Sequence, residues 1–339
     1  MPTFLTTNPS DDNYWRGIIL LGKNSASYKL ALAKSLLELA AKEKTFITLE
    51  ELAVPYALHL VEHLRKSEKQ LTSKSSKFLD TCRAFSVGEK SHSELIDMTV
   101  RRGFENVIDA FHTVNDAPIP LKFFVDDRKA KKGIVLTDTL FSLVKDEQAG
   151  NLETEVEARW RLVETAWNLG LAARLLAIEY DNALQSLIVP DRGVRVNVTG
   201  CRGALNGYQM GKCFYCFRSI LISQGGEANV DVDHLLPLML SQYHEFARIN
   251  LNGVWNLVLA CKDCNSRKNM RLPALRYLER LHTRNQFFIE SHHPLRETLI
   301  LQTGQTEPHR RYYLQQAHAE ATRRLFHLWE CDHELETKF

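Results

Sequence analysis

V-D-V-D-H-L-L-P-L, residues 230–238, puts two carboxylates and an imidazole into a run that otherwise reads as buried strand. Taken alone, Asp231, Asp233 and His234 fit a strand edge with solvated acids and one hydrogen-bonded core histidine, because buried charge is costly unless paired. The surroundings change that reading. Upstream stands Cys213-Phe-Tyr-Cys216 and downstream Cys261-Lys-Asp-Cys264, two Cys-x-x-Cys pairs with 44 residues between them. The spacing lets both sulfurs of a pair reach one ion, and two pairs supply the four thiolates of a tetrahedral structural zinc site. A closed site of this kind has no open coordination position, so its zinc supports structure and performs no chemistry. The insert is longer than a plain zinc ribbon needs, so it houses something of its own. Cys201 is close by but has no partner at ligand spacing.

The 339 residues leave room for two domains, or for one with a substantial insertion. Hydrophobic residues make up 44% and charged residues 25%, the balance of a folded globular chain without long disorder. The formal charge of +2, from 43 basic and 41 acidic side chains, neither demands nor excludes a nucleic-acid partner. M-P-T-F-L-T-T-N-P-S at the start lacks a basic region followed by an apolar core, so no secretory signal is expected. No run approaches the length of a membrane span, so the expected location is cytoplasmic. In that reducing compartment seven cysteines, an odd number, argue against a disulfide framework.

The rest of the chain reads as mostly helical. Residues 1 to about 12 form a polar lead-in. Helices are expected over Asn24–Ala41, with Asn24 and Ser25 as candidate caps, and over Thr48–Arg65, where Thr48 and Glu51 have capping-box spacing. Leu71–Lys77 reads as a polar loop, Leu95–Val114 as a helix interrupted near Gly103, and Ala117–Gly133 as a loop with a short strand at Phe123-Phe124. Glu153–Ile178 is the clearest helix, with Val156, Trp160, Val163 and Trp167 on one apolar face. After Pro190 come short apolar runs and glycines, then a helix over Pro273–Leu281, irregular segments to Gly304 and an amphipathic helix from about Arg310 to Trp329. Gly17-Ile-Ile-Leu-Leu-Gly22-Lys23-Asn24 imitates a phosphate-binding loop, but it lacks the final hydroxyl residue and carries bulky aliphatics where such a loop needs freedom.

Asp233-His234-x-x-Pro237, followed by Asn256-Leu-Val-x-x-Cys261-x-x-Cys264-Asn265-x-x-Lys268, resembles the HNH endonuclease family with its ββα-metal fold. The resemblance covers Cys213 to about Lys268 and is specific there. It implies a small treble-clef-like nuclease module containing zinc, and with the helical patterns of the flanks the expected chain is α+β, predominantly α-helical: a helical N-terminal region, that module and a helical C-terminal tail. The expected domains are 1–199 (targeting, DNA or partner binding), 200–285 (the HNH module) and 286–339 (an extension packed on that module).

The resemblance also implies roles. His234 is the general base, a task suited to an imidazole that titrates near neutrality. Asp233 and Asn265 hold a divalent ion, and their oxygen donors suit Mg²⁺ or Mn²⁺. Asn256 is the structural asparagine that ties the loop and orients the histidine. Adjacent strand residues point to opposite faces, so Asp233 and His234 share a site only where the strand bends or ends. Arg267 and Lys268 are candidates for phosphate contacts or else solvated helix charges. Asp231 either joins the metal site or only neighbours it, and the same question attaches to His244, His282, His292 and His293. Basic clusters at Arg101-Arg102, Arg128–Lys132, Arg310-Arg311 and Arg323-Arg324 could track a phosphate backbone, although charge runs are commonly solvated faces. The implied activity is metal-dependent cleavage of DNA. A restriction or anti-phage role rests on no residue. The alternatives are a zinc-stabilised nucleic-acid-binding module, and a scaffold subunit that cleaves only with a helicase or sensor partner, or not at all.

Overall fold

Thr48 accepts a hydrogen bond from the Glu51 amide while the Glu51 carboxylate accepts one from the Thr48 amide, and this reciprocal cap opens helix Leu49–Lys66. The computed structural model to which it belongs describes residues 10–21, 26–72, 76–114, 117–168, 179–181, 186–191, 194–222, 229–291, 293 and 295–335. Its contacts divide the chain into two compact units, one within residues 5–170 and the other within 171–339. The chain is α+β and predominantly helical. Among the described residues no helix is long and apolar enough to cross a membrane.

In the N-terminal unit, helices Tyr28–Ala40 and Leu49–Lys66 pack together, and helix Ala149–Asn168 packs on the former. Val156, Trp160 and Val163 are buried and Trp167 is half-buried, so the apolar stripe faces a core. Residues 169–178, the rest of the expected helix, lie outside the described residues. Near Gly103 helix His92–Met98 passes into a wider π turn over Thr99–Gly103, then a short helix Val107–Ala110.

Several expectations are corrected. A helix, Asp11–Leu21, begins within the expected lead-in, and its Ile18, Ile19 and Leu20 are buried. The imitation phosphate loop therefore starts inside a helix; its Gly22, Lys23 and Asn24, and the candidate cap Ser25, lie outside the described residues. Lys77 opens a helix, Lys77–Ser86. The short strand expected at Phe123-Phe124 is present but runs over Phe124–Asp127, in an antiparallel sheet in which Gly133–Leu136 lies between Phe124–Asp127 and Phe46–Thr48. The basic run makes one helical turn, Arg128–Lys131, and Lys132 reverses the chain in the left-handed region at φ 55°. A Cβ at Gly133 would collide with the Ile47 carbonyl oxygen, so the close strand approach requires glycine.

The C-terminal unit opens with an antiparallel sheet of Glu179–Asp181, Ser186–Asp191 and Val194–Gly200, followed by helix Cys201–Gln209. The hairpin of Val230–His234 and Leu257–Cys261 comes next, then helix Lys262–Lys268. Three helices close the unit: Leu275–Glu290, Arg296–Thr303 and Glu307–Thr322. The expected irregular stretch before Gly304 is thus mainly helical. Its apolar stripe is interrupted by Arg284 and Asn285, which are buried because they donate to the carbonyls of Val254 and Trp255. The last helix stops at Thr322, earlier than expected. Beyond it Leu328–Trp329 pairs parallel with Leu272–Pro273, and Trp329 packs edge-on against Tyr215 at 4.9 Å. Tertiary packing outweighs the helical propensity of that stretch.

Candidate active site and metal centre

The first knuckle is a tight turn. The Phe217 amide donates to the Cys213 carbonyl at 3.0 Å, and Phe217 takes φ 61°, turning both sulfurs of the pair inward. The Phe214 amide reaches the Leu259 carbonyl at 2.9 Å, and the Gln209 amide side chain bonds both backbone groups of Leu259 at 2.8 Å. These bonds pin the knuckle and the preceding helix to the edge of strand Leu257–Cys261. That strand ends at Cys261, which caps helix Lys262–Lys268 and carries Cys264 into its first turn. All four sulfurs lie within 4.8 Å of one another, with Cys216 Sγ and Cys261 Sγ 3.8 Å apart. A zinc–sulfur bond of about 2.3 Å in tetrahedral geometry gives an S···S edge of about 3.8 Å. Amide donors from Cys261 to Cys213 Sγ and from Cys264 to Cys261 Sγ place positive dipoles at the sulfurs, as thiolates require. The cluster therefore fits zinc. Cys201 stands apart, buried, with burial pushing its thiol up to about 12.

In the hairpin, Asp233 faces Val258, Asp231 faces Ala260, and His234 is the last paired residue, opposite Leu257. The strand ends there, so Asp233 and His234 both line a cleft of about 480 Å³ together with Asn265, Lys268 and Met270. Asn265 and Lys268 are three residues apart on the short helix and share a face. Each meets one acid of the strand. Asn265 Nδ2 donates to Asp231 Oδ2 at 3.1 Å, and Lys268 Nζ donates to Asp233 Oδ1 at 3.0 Å and to the His234 carbonyl at 2.8 Å. The other Asp233 oxygen accepts from the Tyr215 hydroxyl at 2.6 Å. Burial, then the Asp233 charge, hold that phenol well above its usual value, so it stays protonated and donates.

Lys268 is 1% exposed and its ammonium is directed inward. Arg267, one residue earlier, is exposed and pairs with Asp263 at 2.9 Å and Asp332 at 3.2 Å. Asp231 and Asp233 on one strand face, with the Asn265 amide opposite, form a set of oxygen donors suited to a hard divalent ion. Each Asp233 oxygen carries one bond here, and an ionised carboxylate has about four acceptor positions, so donor capacity remains.

His234 Nε2 lies 3.0 Å from Asn252 Oδ1. The amide oxygen can only accept, so Nε2 carries the proton and the basic lone pair is on Nδ1. Burial lowers the imidazole below its usual value, more than the Asn252 bond and the Asp233 charge raise it. The ring is therefore neutral at neutral pH. Asn256 is fully buried. Its Oδ1 accepts from the Leu236 amide, and its Nδ2 donates to the carbonyls of Leu236 and Leu251, all at 2.9 Å, so it ties the exit of one strand to the approach of the other.

The other histidines fall elsewhere. His244 is exposed on a short 3₁₀ turn, and His282 is buried 3.5 Å from Glu307. His293 stacks on Phe288 and accepts from the Leu295 amide, while His292 lies outside the described residues. Among the basic clusters, Arg310 is buried on Gln286 and the carbonyls of Gly304 and Gln305. Arg102, Arg128, Arg311, Arg323 and Arg324 each pair with an acid.

Sequence reasoning passed over Tyr215, Asn252, Cys331 and His333. Asn252 had a faint signal, an amide four residues before Asn256. Cys331-x-His333 had a clearer one, two metal-ligand types at close spacing in a tail read only as helix.

Residues 213–274 match a family model described as HNH endonuclease, in agreement with the motif. No curated protein and no solved structure matches the chain. The matched segment holds the hairpin, both knuckles and helix Lys262–Lys268, and Cys331 and His333 lie outside it.

Proposed function

We propose that this chain is a metal-dependent endonuclease that hydrolyses phosphodiester bonds in DNA, with its chemistry in the cleft between hairpin and short helix. The observation that carries the reading is the convergence of the His234 imidazole, the Asp233 carboxylate and the Asn265 amide on one open cleft, with Asp231 hydrogen-bonded to that amide, beside a four-cysteine cluster. His234 Nδ1 takes the proton from the attacking water, while the Asn252 bond on Nε2 holds the ring in that tautomer. Asn256 fixes the turn after His234 and so its direction. Asp233 and Asn265 would hold Mg²⁺ or Mn²⁺, which supplies positive charge to the scissile phosphate and the leaving oxygen. Lys268, through its bond to the His234 carbonyl, ties the short helix to the end of the strand. Arg267 stands on the outer side of that helix, exposed, as a contact for the nucleic-acid backbone. The four cysteines hold structural zinc.

Incubating the protein with supercoiled plasmid and Mg²⁺ or Mn²⁺ tests this. Nicking is expected in wild type, abolition by EDTA, and a loss of about 10²- to 10⁴-fold in His234→Ala, the usual contribution of a general base. Equal nicking by variant and wild type removes His234 from the mechanism.

A second reading draws on one observation. The Asp233 carboxylate is already neutralised by Lys268 and bonded by Tyr215. This favours a subunit whose cleft rearranges only with a partner or with its target. No nicking with either metal by a folded, zinc-loaded protein would favour that reading.

A further inference from the structure

The last described residues return to the knuckles. The Cys331 amide donates to the Tyr277 hydroxyl at 3.0 Å, and the Leu335 amide donates to the Cys216 carbonyl at 3.0 Å. Arg276 and Arg280 both hold Glu334, at 3.2 and 2.5 Å. With the pairing of Leu328–Trp329 on Leu272–Pro273, these contacts fix a short tail in one path. Along that path Cys331 and His333 both approach Cys264.

Cys264 Sγ lies 3.9 Å from Cys331 Sγ and 3.8 Å from His333 Nε2, and the three ligand atoms fall within 4.8 Å of one another. Cys264 thus belongs to two clusters of metal ligands. In a tetrahedral zinc site, bonds of about 2.3 Å to sulfur and 2.0–2.1 Å to nitrogen give edges of about 3.8 Å for S···S and about 3.5 Å for S···N. The observed separations match these edges to within a few tenths of an ångström. A disulfide does not account for them, since that bond is about 2.05 Å long.

Two more contacts point to a ligand. His333 Nδ1 lies 2.6 Å from Asp332 Oδ1, a carboxylate partner that places the ring proton on Nδ1 and the lone pair on Nε2, toward Cys264. This carboxylate–histidine pairing is how metal-binding imidazoles are commonly oriented. Asp263 Oδ2, on the helix that carries Cys264, lies 3.3 Å from the same Nε2, next to the three-ligand group.

We propose that a second zinc-class ion is bound by Cys264, Cys331 and His333, with the Asp263 carboxylate turning in to complete the set and the Cys264 thiolate bridging it to the ion held by Cys213, Cys216, Cys261 and Cys264. This rests on reading the four-cysteine cluster as a zinc site. A thiolate bound to one zinc keeps lone pairs for another. Four thiolates on one dication leave two surplus negative charges. A second dication that brings one more thiolate and one carboxylate adds no further surplus. The consequence reaches the cleft, because Asp263 and Cys264 lie in the helix that carries Asn265 and Lys268. The second ion clamps the tail to that helix.

The test is metal counting on the full chain prepared without a histidine tag, by elemental analysis and native mass spectrometry. The set is wild type, His333→Ala, Cys331→Ser and Cys213→Ser. Two zinc ions per chain are expected in wild type and one in each tail variant, with circular dichroism reporting the fold of each. His333 is on the surface side of the cluster, so His333→Ala is the variant least exposed to misfolding. Cobalt replacement gives a second readout: thiolate-to-cobalt absorption in both proteins, with magnetic coupling between two ions only in wild type. One zinc in wild type, retained by both tail variants, overturns the proposal and leaves the four-cysteine reading standing. Two zinc ions in His333→Ala and Cys331→Ser overturn it as well, by placing the second ion elsewhere. No zinc in folded wild type removes both readings.

Discussion

Lys268 is an ammonium with almost no water around it, held by one carboxylate and one carbonyl. A buried ion pair contributes little over a well-packed apolar pair, but removal of one partner strands the other charge, at about 3–5 kcal/mol. Lys268→Met is therefore expected to lower the stability of the C-terminal unit by about that amount. Lys268→Met combined with Asp233→Asn is expected to recover most of the loss. Urea unfolding followed by the part of the tryptophan fluorescence that disappears when Trp255 and Trp329 are both replaced by Phe checks this, and a single variant within about 0.5 kcal/mol of wild type would show that the pair is not coupled as described. The clustering of Asp233, His234, Asn256 and Asn265 was legible in the motif, because their spacing is that of a hairpin followed by a helix. The inward course of Lys268 was not legible, since both sequence readings, a phosphate contact and a solvated helix charge, put it at the surface. Its three-residue offset from Asn265 puts it on the same face, but a long side chain there can run inward or into solvent, and the buried carboxylate decides. Asn252 was not legible, since nothing local distinguishes an amide that meets an imidazole from one that caps a turn.

Helix Leu49–Lys66 carries a second buried charge system, unrelated to the cleft. His63 stacks on Trp160 of helix Ala149–Asn168 at 3.6 Å, with Nδ1 2.6 Å from Glu164 and Nε2 3.2 Å from Glu157. Burial alone would lower this imidazole, but the two carboxylates outweigh it and the net shift is upward. Lys34, 2.8 Å from Glu157, and the nearby His59 share the site. A histidine raised on folding stabilises most when protonated. Its contribution is complete below the unfolded value of about 6.5 and is lost as pH rises through the higher folded value. The stability advantage of wild type over His63→Gln is therefore expected to be larger at about pH 6 than at about pH 9. Urea titrations of both proteins across that range measure it, and a difference independent of pH would contradict the clamp. At this scale the capping box of Thr48 and Glu51 and the apolar stripe of Ala149–Asn168 could be read directly, because local bonds and periodicity set them. Strand Phe124–Asp127 and helix Leu275–Glu290 could be read only at their starts, not to their full extent. The first depends on partners at Gly133–Leu136, and the second hides its stripe behind Arg284 and Asn285, whose hydrogen-bond partners are remote in sequence.

The two units have separate cores, and among the described residues the groups of metal-binding ligands fall in the C-terminal one. Trp15, Trp160, Tyr56 and Phe78 are buried in the N-terminal unit, which has no described group of metal-binding ligands. Around the cysteine cluster Tyr215 packs edge to face on Tyr277 and on Trp329, and the strand ending at Cys261 is buried along its length. Four thiols brought together in an apolar interior repay little of their desolvation without an ion, so metal binding there is folding free energy. Chelation is therefore expected to act on one unit alone. In scanning calorimetry the holoprotein should show a transition that moves down when zinc is stripped and another that does not. The shift should correspond to about 4 kcal/mol or more, the linkage of a ligand present at a thousandfold its dissociation constant. Fluorescence melts of the Trp255→Phe, Trp329→Phe double variant assign the transitions: the emitters left are Trp15, Trp160 and Trp167 of the N-terminal unit, so the metal-dependent transition falls silent and the other remains. A single transition that moves as a whole would mean that the units unfold together. A zinc-stripped chain that melts like the holoprotein would mean that the aromatic and apolar contacts around the cysteines hold the C-terminal unit without their ion.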